Sequence, residues 1–432
     1  MSDYIFMLES HLSTEQDHAI DQVQKAAGQA NVNLFLTGGA MRDMLAGFRI
    51  RDLDFTVEGN ALKLAKTVAE EGKAELVAVD ENRRCAELVF PPGVTVQIAM
   101  SRQEKYARPG GRPQVTSATI QEDLRGRDFT CNAIALSLNK ASRGLLLDPL
   151  NGLADIERRE LRLVSPYGFY DDPSRLLRLM RFRVRLAFTI EQRTEMQVAN
   201  ACAAEIAKLI TPRTLMEELK RIALEDNPAE IMRLLEEAGL WVLFSPALVG
   251  AKANAAGLAK LEKAIHLVPD EQRFRSARLG PFLYAVSEKL SPKEKQAFVK
   301  SMEMRKAEAD LWLKLEARAK KLERALRSAR LRKASQVYFL VAKAEPDEIL
   351  FLLYRSPLRP VQERLRNFFQ RYSPAVQEIT PEEWAAVDSK AAGRRGKARE
   401  EFIANRLDRR IRKPAPVPPP PPIEAAILRR PQ

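Results

Sequence analysis

The first 140 residues of the chain alternate between two kinds of hydrophobic pattern. Residues 11–30, HLSTEQDHAIDQVQKAAGQA, space their apolar positions as an amphipathic helix does, and ALKLAKTVAEEG at 61–72 predicts a second helix closed by glycine. Short apolar runs next to glycine or proline predict strands in VNLFLTGG, DLDFTVEG, AELVFPPG and VTVQIAMS. These patterns together predict an α+β fold for this part of the chain.

Beyond residue 170 the pattern changes, because strand-like runs almost vanish. Helical spacing of apolar residues is found in DDPSRLLRLMRFRVRLAF, TLMEELKRIALE, PAEIMRLLEEAGL, EKAIHLV and ADLWLKLEARAKKLERALRSARL. The stretch PAPVPPPPP at 414–422 cannot form a helix or a central strand, which predicts an extended polyproline tail. The fold class we predict is therefore α+β: an α+β head followed by a mostly α-helical remainder.

The charge of the chain indicates a class of partner. It carries 70 Lys and Arg against 57 Asp and Glu, a net charge of +13, which favours a polyanion such as nucleic acid. No run approaches the roughly 18 apolar residues of a membrane span, and MSDYIFMLESHLSTEQ lacks the basic start of a signal peptide. We therefore expect a cytoplasmic protein with no membrane association and no evident protein partner.

Cysteine and histidine are too sparse to form a metal site. Cys85, Cys131 and Cys202 lie far apart without metal-binding spacing, so we interpret them as free thiols. The three histidines of the chain are scattered as well. Any metal ion in this protein would therefore be bound by carboxylates.

The segment GGAMRDMLAGFRIRDLDF combines a glycine turn with two carboxylates. Asp52 and Asp54 lie two residues apart, so in a strand they point to the same face and can bind one or two divalent cations. Gly38 and Gly39 precede a helix whose N-terminal N–H groups can face a phosphate, and Arg42 one turn later adds a charged fork. Solvated aspartates and an ordinary tight turn would explain each piece alone, whereas the combination favours phosphoryl transfer.

This segment resembles the nucleotidyltransferase signature of the class II tRNA nucleotidyltransferases and bacterial poly(A) polymerases. Three further blocks resemble the family in the same order: DLRGRDFTCNAIAL at 123–136, LDPLNGLADI at 147–156 and YDDPSRLLRLMRFRVRLAFTI at 170–190. The helical block at 212–241 is also similar, and beyond about residue 245 little resembles the family. The resemblance implies a polymerase-β-like nucleotidyltransferase head with a mixed sheet at 1–140, followed by an elongated helical part that begins with a neck that recognises the base at 141–210. The helical and basic patterns further along predict a helical body at 211–330 and a helical RNA-binding tail at 331–413, and the proline run predicts a proline-rich disordered tail at 414–432.

The resemblance also implies roles for single residues. Asp52 and Asp54 would be the catalytic metal ligands, with Mg²⁺ as the cofactor. The nucleotide would be bound by Gly38, Gly39, Arg42, Arg127, Asp128, Asp172, Arg175, Arg178 and Arg181.

Within this set Asp172 and Arg175 would read the base, because a carboxylate and a guanidinium can pair with a base edge as another base would. Pro173 suits the first position of a helix capped by Asp172, and the spacing of three places Asp172 and Arg175 on neighbouring faces of one turn. Arg178 and Arg181 would support the phosphates or the base pair. Their alternative interpretation is a solvated basic face, or salt bridges to the head.

Three positions depart from the family pattern. Asp171 stands where the family has Glu, and Gly126 replaces the first Arg of the second block. Gln97 stands where an additional acidic residue is expected near the aspartate pair, so the metal site would be weaker, or Glu104 or another acid would substitute. The Pro/Gly/Arg-rich stretch 101–116 matches either a loop that helps the family switch from CTP to ATP or a plain surface loop.

The sequence therefore predicts a tRNA nucleotidyltransferase that completes the 3′ CCA end from CTP and ATP. The nucleophile would be the RNA 3′ hydroxyl, since nothing in the sequence suggests a covalent enzyme intermediate. Basic stretches at 314–334 and 396–413 would contact RNA phosphates, with a salt-bridged exposed helix as their alternative. An A-adding enzyme, a CC-adding enzyme, a poly(A) polymerase and an inactive RNA-binding homologue remain open.

Overall fold

A computed structural model of the 432-residue chain describes residues 3–269, 272–389, 391 and 394–409. The strands are β1 Asn33–Thr37, β2 Leu53–Glu58, β3 Glu75–Asp80, β4 Cys85–Phe90, β5 Val94–Met100, β6 Arg102–Lys105, β7 Gln114–Ser117, β8 Ala135–Ser137, β9 Leu146–Leu147, β10 Glu160–Leu161 and β11 Thr189–Ile190. The helices are α1 Asp3–His11, α2 Thr14–Gln29, α3 Gly38–Leu45, α4 Ala61–Gly72, α5 Ile120–Gly126, α6 Gly152–Arg158, α7 Gly168–Asp171, α8 Arg175–Leu186, α9 Gln192–Ala203, α10 Pro212–Leu224, α11 Pro228–Glu237, α12 Ala255–Ile265, α13 Gln272–Ser276, α14 Leu279–Ser287, α15 Pro292–Ser301, α16 Lys306–Leu313, α17 Leu315–Arg327, α18 Ala334–Ala342, α19 Pro346–Arg355, α20 Arg359–Asn367, α21 Ser373–Gln377, α22 Pro381–Ser389 and α23 Arg395–Arg409.

A seven-stranded mixed sheet forms the centre of the head, in the order β3-β4-β5-β2-β1-β8-β9. Only the β2–β5 pair of this sheet is parallel, and its register places Asp54 opposite Gln97. The antiparallel pairing of β4 with β5 then places Glu87 on the other side of Gln97. Residues opposite each other in register share a face, so Asp54, Gln97 and Glu87 form one row across three strands.

The alternation of β2 explains how its two faces differ. Leu53, Phe55 and Val57 are fully buried, while Asp54 points to the opposite face. Helices α2 and α4 contact each other and both pack on the sheet, with α4 against β3, β4 and β5. Helices α2 and α4 thus cover the sheet, and Asp54 lies on the face of β2 opposite Leu53, Phe55 and Val57.

After the head, helices α8 to α16 continue the same compact unit. This unit comprises the described residues up to His266 together with those from 272 to Leu315. Its helical part is a set of neighbouring helices in which α11 packs on α12, α12 on α14 and α14 on α16. The buried Trp241 and Trp312 show that this part has an apolar core of its own.

The second compact unit comprises residues 267–269 and the described residues from Glu316 onward. In it α18 packs on α23, α19 on α20, and α22 on α23. Tyr338 stacks on Phe368, whose ring meets Phe369 edge to face, and these aromatic contacts mark its interior. Among the described residues, no helix is both long and apolar enough to cross a membrane.

The predicted fold class, a mixed-sheet head followed by mostly helical structure, is confirmed. Two local predictions are wrong: the helix expected across 309–331 is broken at Lys314 between α16 and α17, and the helix expected to open at Pro173 begins at Arg175. Residues 173 and 174 form a turn before α8, and Asp172 accepts hydrogen bonds from the N–H and hydroxyl of Ser174, as the predicted cap does. The domain borders stay predictions, and the polyproline stretch lies outside the described residues.

Candidate active site

The glycine turn between β1 and α3 lies directly against Asp54. Gly38 has a φ of +62°, which favours glycine, and the Gly39 N–H donates a hydrogen bond of 2.9 Å to Asp54 Oδ2. A Cβ atom on Gly39 would lie 2.9 Å from the same oxygen. The Gly-Gly pair therefore allows the backbone to approach the carboxylate closely, and in this structure a turn N–H binds Asp54.

The two aspartates lie in an electrostatic setting that disfavours their charge. Burial and the neighbouring Asp52 raise the pKa of Asp54 to about 6, against the opposing effect of Arg127. The surrounding protein partly desolvates the Asp52 carboxylate and raises its pKa as well. The side chain nevertheless remains accessible to solvent. A divalent cation would favour the charged forms of both carboxylates, which this setting disfavours despite the nearby arginines, so the donor set fits such an ion.

Gln97 leaves this pair without a third close carboxylate. Among the described residues, no three His, Cys, Asp or Glu side chains are grouped so that they could hold a metal ion. Glu104 is engaged elsewhere, since it accepts hydrogen bonds from Arg102 at 2.9 Å and from Tyr106 at 2.8 Å. Glu87 lies in the row beyond Gln97, and burial together with the charge of Asp52 raises its pKa. Sequence reasoning missed Glu87, because only strand register reveals it.

Arg127 and Asp128 join the glycine turn to the neck. Arg127 is paired with Asp123, donates to Thr56 at 3.0 Å, and lies near Gly38. Asp128 accepts a hydrogen bond of 2.9 Å from Asn132 Nδ2. Arg127 thus lies beside Asp54, where the sequence predicts the triphosphate.

Asp128 keeps its charge for a clear physical reason. Burial acts to raise its pKa, but Arg178 and Arg175, with hydrogen bonds from Asn132 and the Phe129 N–H, lower it to about 2. Arg178 donates to Asp128 Oδ2 at 3.0 Å. Asp128 is therefore an ionised anchor for α8 at neutral pH.

The structure pairs Asp172 with Arg178. The Arg178 guanidinium donates to both Asp172 and Asp128, and so bridges the neck turn and the head. Arg175 does not pair with Asp172 here; it donates to the backbone carbonyls of Gly126 at 3.1 Å and Arg127 at 3.4 Å. The predicted base-reading pair is thus close in the chain, but its two members bind different partners.

Two arginines of the predicted nucleotide-binding set lie in the interior. Arg42 is 3% exposed, donates to Asn132 Oδ1 at 2.7 Å and to Asp43, and lies 4.9 Å from the centre of the Phe182 ring. Arg181 is 5% exposed and is paired with Glu225 at 3.1 Å. Both guanidinium groups therefore hold α3 and α8 in place in this structure, and their contact with nucleotide stays a prediction.

The hairpin β6–β7 rests on the neck beside Asp172. The Gly110 N–H donates to the Tyr170 carbonyl at 3.0 Å, and the same glycine lies against Pro173 and Leu209. The stretch 101–116 thus contains a hairpin next to the turn predicted to read the base. Whether it acts in the switch from CTP to ATP or is a plain surface loop stays a prediction.

Comparison with known proteins finds a family model that matches the head. The family model described as the poly A polymerase head domain matches residues 34–162. The matched segment holds the glycine turn, Asp52, Asp54 and Arg127, and it ends before the neck turn at Asp172.

Longer matches come from related proteins. An A-adding tRNA nucleotidyltransferase of Halalkalibacterium halodurans is 34% identical over 275 residues, which cover 61% of this chain and 62% of that protein. A CC-adding tRNA nucleotidyltransferase of Deinococcus radiodurans is 36% identical over 231 residues, covering 53% and 60%. The chain thus spans less than two thirds of the length of either relative.

A solved structure matches nearly the whole chain. The CCA-adding enzyme of Thermotoga maritima, in complex with tRNA, superposes with a TM-score of 0.51 at 25% identity, covering 94% of this chain and 95% of that one. The resemblance to tRNA nucleotidyltransferases and poly(A) polymerases is therefore confirmed. The relatives carry three different names, A-adding, CC-adding and CCA-adding, so the nucleotides added by this protein belong to the proposal below.

Proposed function

We propose that this protein adds nucleotides, without a template, to the 3′ end of tRNA and completes the CCA end from CTP and ATP. The observation that carries the proposal is the contact between the glycine turn and Asp54, with Arg127 beside it. The Asp172 turn is joined to Asp128, the residue after Arg127, through Arg178. This arrangement joins a carboxylate pair for metal-dependent chemistry to a polar turn that can read a base edge.

In the proposed reaction the RNA 3′ hydroxyl attacks the α-phosphate of the nucleotide and pyrophosphate leaves. Asp52 and Asp54 would hold Mg²⁺, which supplies screening of the phosphate charge and favours the ionised form of the hydroxyl. Arg127, which is partly exposed next to Asp54, would bind the triphosphate. Asp128 keeps Arg178 in place at the neck turn.

The base would be read at the neck turn. Asp172 presents a carboxylate that accepts hydrogen bonds, and Arg178 and Arg175 supply guanidinium groups within the same turn of α8. For Arg175 to meet a base it would have to leave the carbonyls of Gly126 and Arg127. Addition of A alone or of CC alone is the second candidate, and the names of the two relatives above favour it.

Three tRNA transcripts test the proposal: one ending at the base before CCA, one ending in C and one ending in CC. Each is incubated with Mg²⁺ and CTP, ATP or both, and the products are sized by gel electrophoresis. Completion of CCA on all three supports the proposal. Addition restricted to A, or to CC, identifies the second candidate. The Asp54→Ala variant should add nothing, and no addition by the wild type to any transcript would rule out the enzymatic proposal.

A further inference from the structure

The two aspartates of the candidate metal site are fixed to different degrees. Asp54 belongs to β2, pairs in register with Gln97, and accepts a hydrogen bond from the Gly39 N–H. Asp52 precedes the first residue of β2, Leu53, so the strand ladder does not fix its backbone. Something other than the sheet must hold Asp52 if both carboxylates are to meet the same ion.

The residues immediately before Asp52 are held from two sides. Gln16 of α2 donates from Nε2 to the Ile50 carbonyl at 3.0 Å. Arg51 donates to Glu225 Oε2 at 3.0 Å and to Asp226 Oδ2 at 2.9 Å. These two acids follow Leu224, the last residue of α10. Arg51 therefore connects the end of α10 to the residues just before β2.

The partners of Arg51 are themselves rigidly placed. Glu225 is 4% exposed and also accepts from Arg181 at 3.1 Å. Asp226 accepts at 2.9 Å from Arg278, which is 3% exposed and also donates to the Leu224 carbonyl. The end of α10 is therefore held in place by these contacts, and Arg51 binds the segment before Asp52 to it.

The chemistry of the contact favours arginine. A guanidinium is a planar fork that can bind two separate carboxylates at once, whereas a lysine ammonium is a single point of charge. An ion pair of this kind, only 19% exposed on the Arg51 side, costs desolvation and adds little net stability. Since Arg51 directly precedes Asp52, the ion pairs can instead serve to fix the position of the Asp52 backbone.

We propose that Arg51 is a positioning residue, which fixes Asp52 relative to Asp54 by binding Glu225 and Asp226 at the end of α10. This inference rests on the proposed function of the two aspartates. Through Arg51 the helical part of the unit sets the spacing of the two carboxylates. The proposed function gives Arg51 no contact with the nucleotide or the metal ion.

The test measures metal binding apart from catalysis. Mn²⁺ is titrated into the full-length protein without nucleotide, by isothermal titration calorimetry or electron paramagnetic resonance, for the wild type, Arg51→Ala and Arg51→Lys. We expect Arg51→Ala to weaken Mn²⁺ binding by about 10-fold or more, as loss of groups that orient metal ligands does. Arg51→Lys should weaken Mn²⁺ binding by less, because lysine keeps the positive charge and loses only the planar group that binds two carboxylates at once.

Arg233→Ala is the matched control. Arg233 on α11 also forks between two carboxylates, Glu230 and Glu237, but on an exposed surface. This variant should bind Mn²⁺ as the wild type does. The thermal unfolding midpoint of each variant shows whether it is folded, and if Arg51→Ala does not fold, Arg51→Lys decides the question.

The outcomes separate this inference from the proposed function. If both folded Arg51 variants bind Mn²⁺ like the wild type while Asp54→Ala does not bind, Arg51 has no positioning role and the metal site stands. If the wild type itself binds no Mn²⁺, the metal site fails as well. Weakened binding in the Arg51 variants, with an unchanged preference between CTP and ATP, is the result that the positioning role requires.

Discussion

Gly39 serves the candidate site in two ways, because its N–H binds Asp54 and its missing side chain leaves room for that contact. We predict that Gly39→Ala weakens Mn²⁺ binding by about 10- to 100-fold, since the new Cβ would lie 2.9 Å from Asp54 Oδ2 and displace it. Calorimetric titration measures the effect. Gly28→Ala is the control, because a Cβ there meets nothing within 4 Å. Equal Mn²⁺ affinity of the two variants would contradict the close approach.

Gln97 is the residue at which this chain lacks an expected charge. It lies between Asp54 and Glu87 in the row across β2, β5 and β4. We predict that Gln97→Glu tightens Mn²⁺ binding by on the order of 10-fold, because the number of charged ligands sets the affinity of an oxygen site. It should also lower the Mg²⁺ concentration that half-saturates nucleotide addition.

A matched change on β6 serves as the control for this prediction. Gln103 is exposed in the hairpin, so Gln103→Glu adds the same charge to the protein away from the sheet row. Gln103→Glu should leave the affinity for Mn²⁺ close to that of the wild type. If Gln97→Glu also leaves it unchanged, the row does not face the metal ion.

At the scale of elements, the contact between the head and α8 depends on Asp128 and Arg178. The folded pKa of Asp128 is about 2, below its usual value of about 3.9. A lowered carboxylate pKa contributes stability that is fully present above the unfolded value and is lost as the pH falls through the folded value. The contribution of Asp128 is therefore complete above about pH 4 and disappears toward pH 2.

We predict that Asp128→Asn lowers the free energy of unfolding at pH 7 by about 2 kcal/mol, the order of a hydrogen bond to a charged group. The difference from the wild type should shrink between pH 4 and pH 2 in urea unfolding. Asp171→Asn provides the contrast, because burial raises the pKa of Asp171 and its charge does not stabilise the fold. A constant difference down to pH 2 for Asp128→Asn would contradict the ion pair.

The β6–β7 hairpin shows how elements far apart in the chain build one site. Its loop rests on the neck turn through the Gly110 N–H and the Tyr170 carbonyl, and Pro173 packs against Gly110. A Pro/Gly/Arg-rich stretch is by itself only a surface connection. Its place beside Asp172 follows from the packing of the hairpin on the neck.

At the scale of the whole molecule, the net charge of +13 favours binding to a polyanion. In the second compact unit α17 exposes Lys321, Arg324 and Arg327 at helical spacing. We predict that changing these three residues to alanine weakens tRNA binding and reduces the slope of log affinity against log salt by about 1 per contacting cation. Fluorescence anisotropy with labelled tRNA at several salt concentrations measures this slope.

The control for this prediction changes exposed lysines of the other unit. Lys260 and Lys263 lie on α12 and are exposed as well. Their replacement by alanine should leave the salt slope nearly unchanged. If both sets reduce the slope equally per residue changed, α17 is not a specific RNA contact and the binding reflects total charge alone.

The sequence by itself determined the local elements, and it predicts the role of the aspartate pair. Apolar alternation in LDFTV fixes which face of β2 is buried, so Asp54 must emerge on the other face. The helices α2, α4, α10 and α11 follow from their spacing and end signals. The ordered blocks around Asp52, Arg127 and Asp172 carry the resemblance to the family, and the head-domain match at 34–162 covers the first two of them.

Only the tertiary structure decided which side chains meet. Glu87 lies in the row beyond Gln97 because of strand register, and Arg178 binds Asp172 together with Asp128 of the head. The fork from Arg51 to Glu225 and Asp226 joins residues some 175 positions apart. Helical and strand periodicity describe neighbours within one element, and such long-range pairs arise only when the elements pack, which periodicity does not encode.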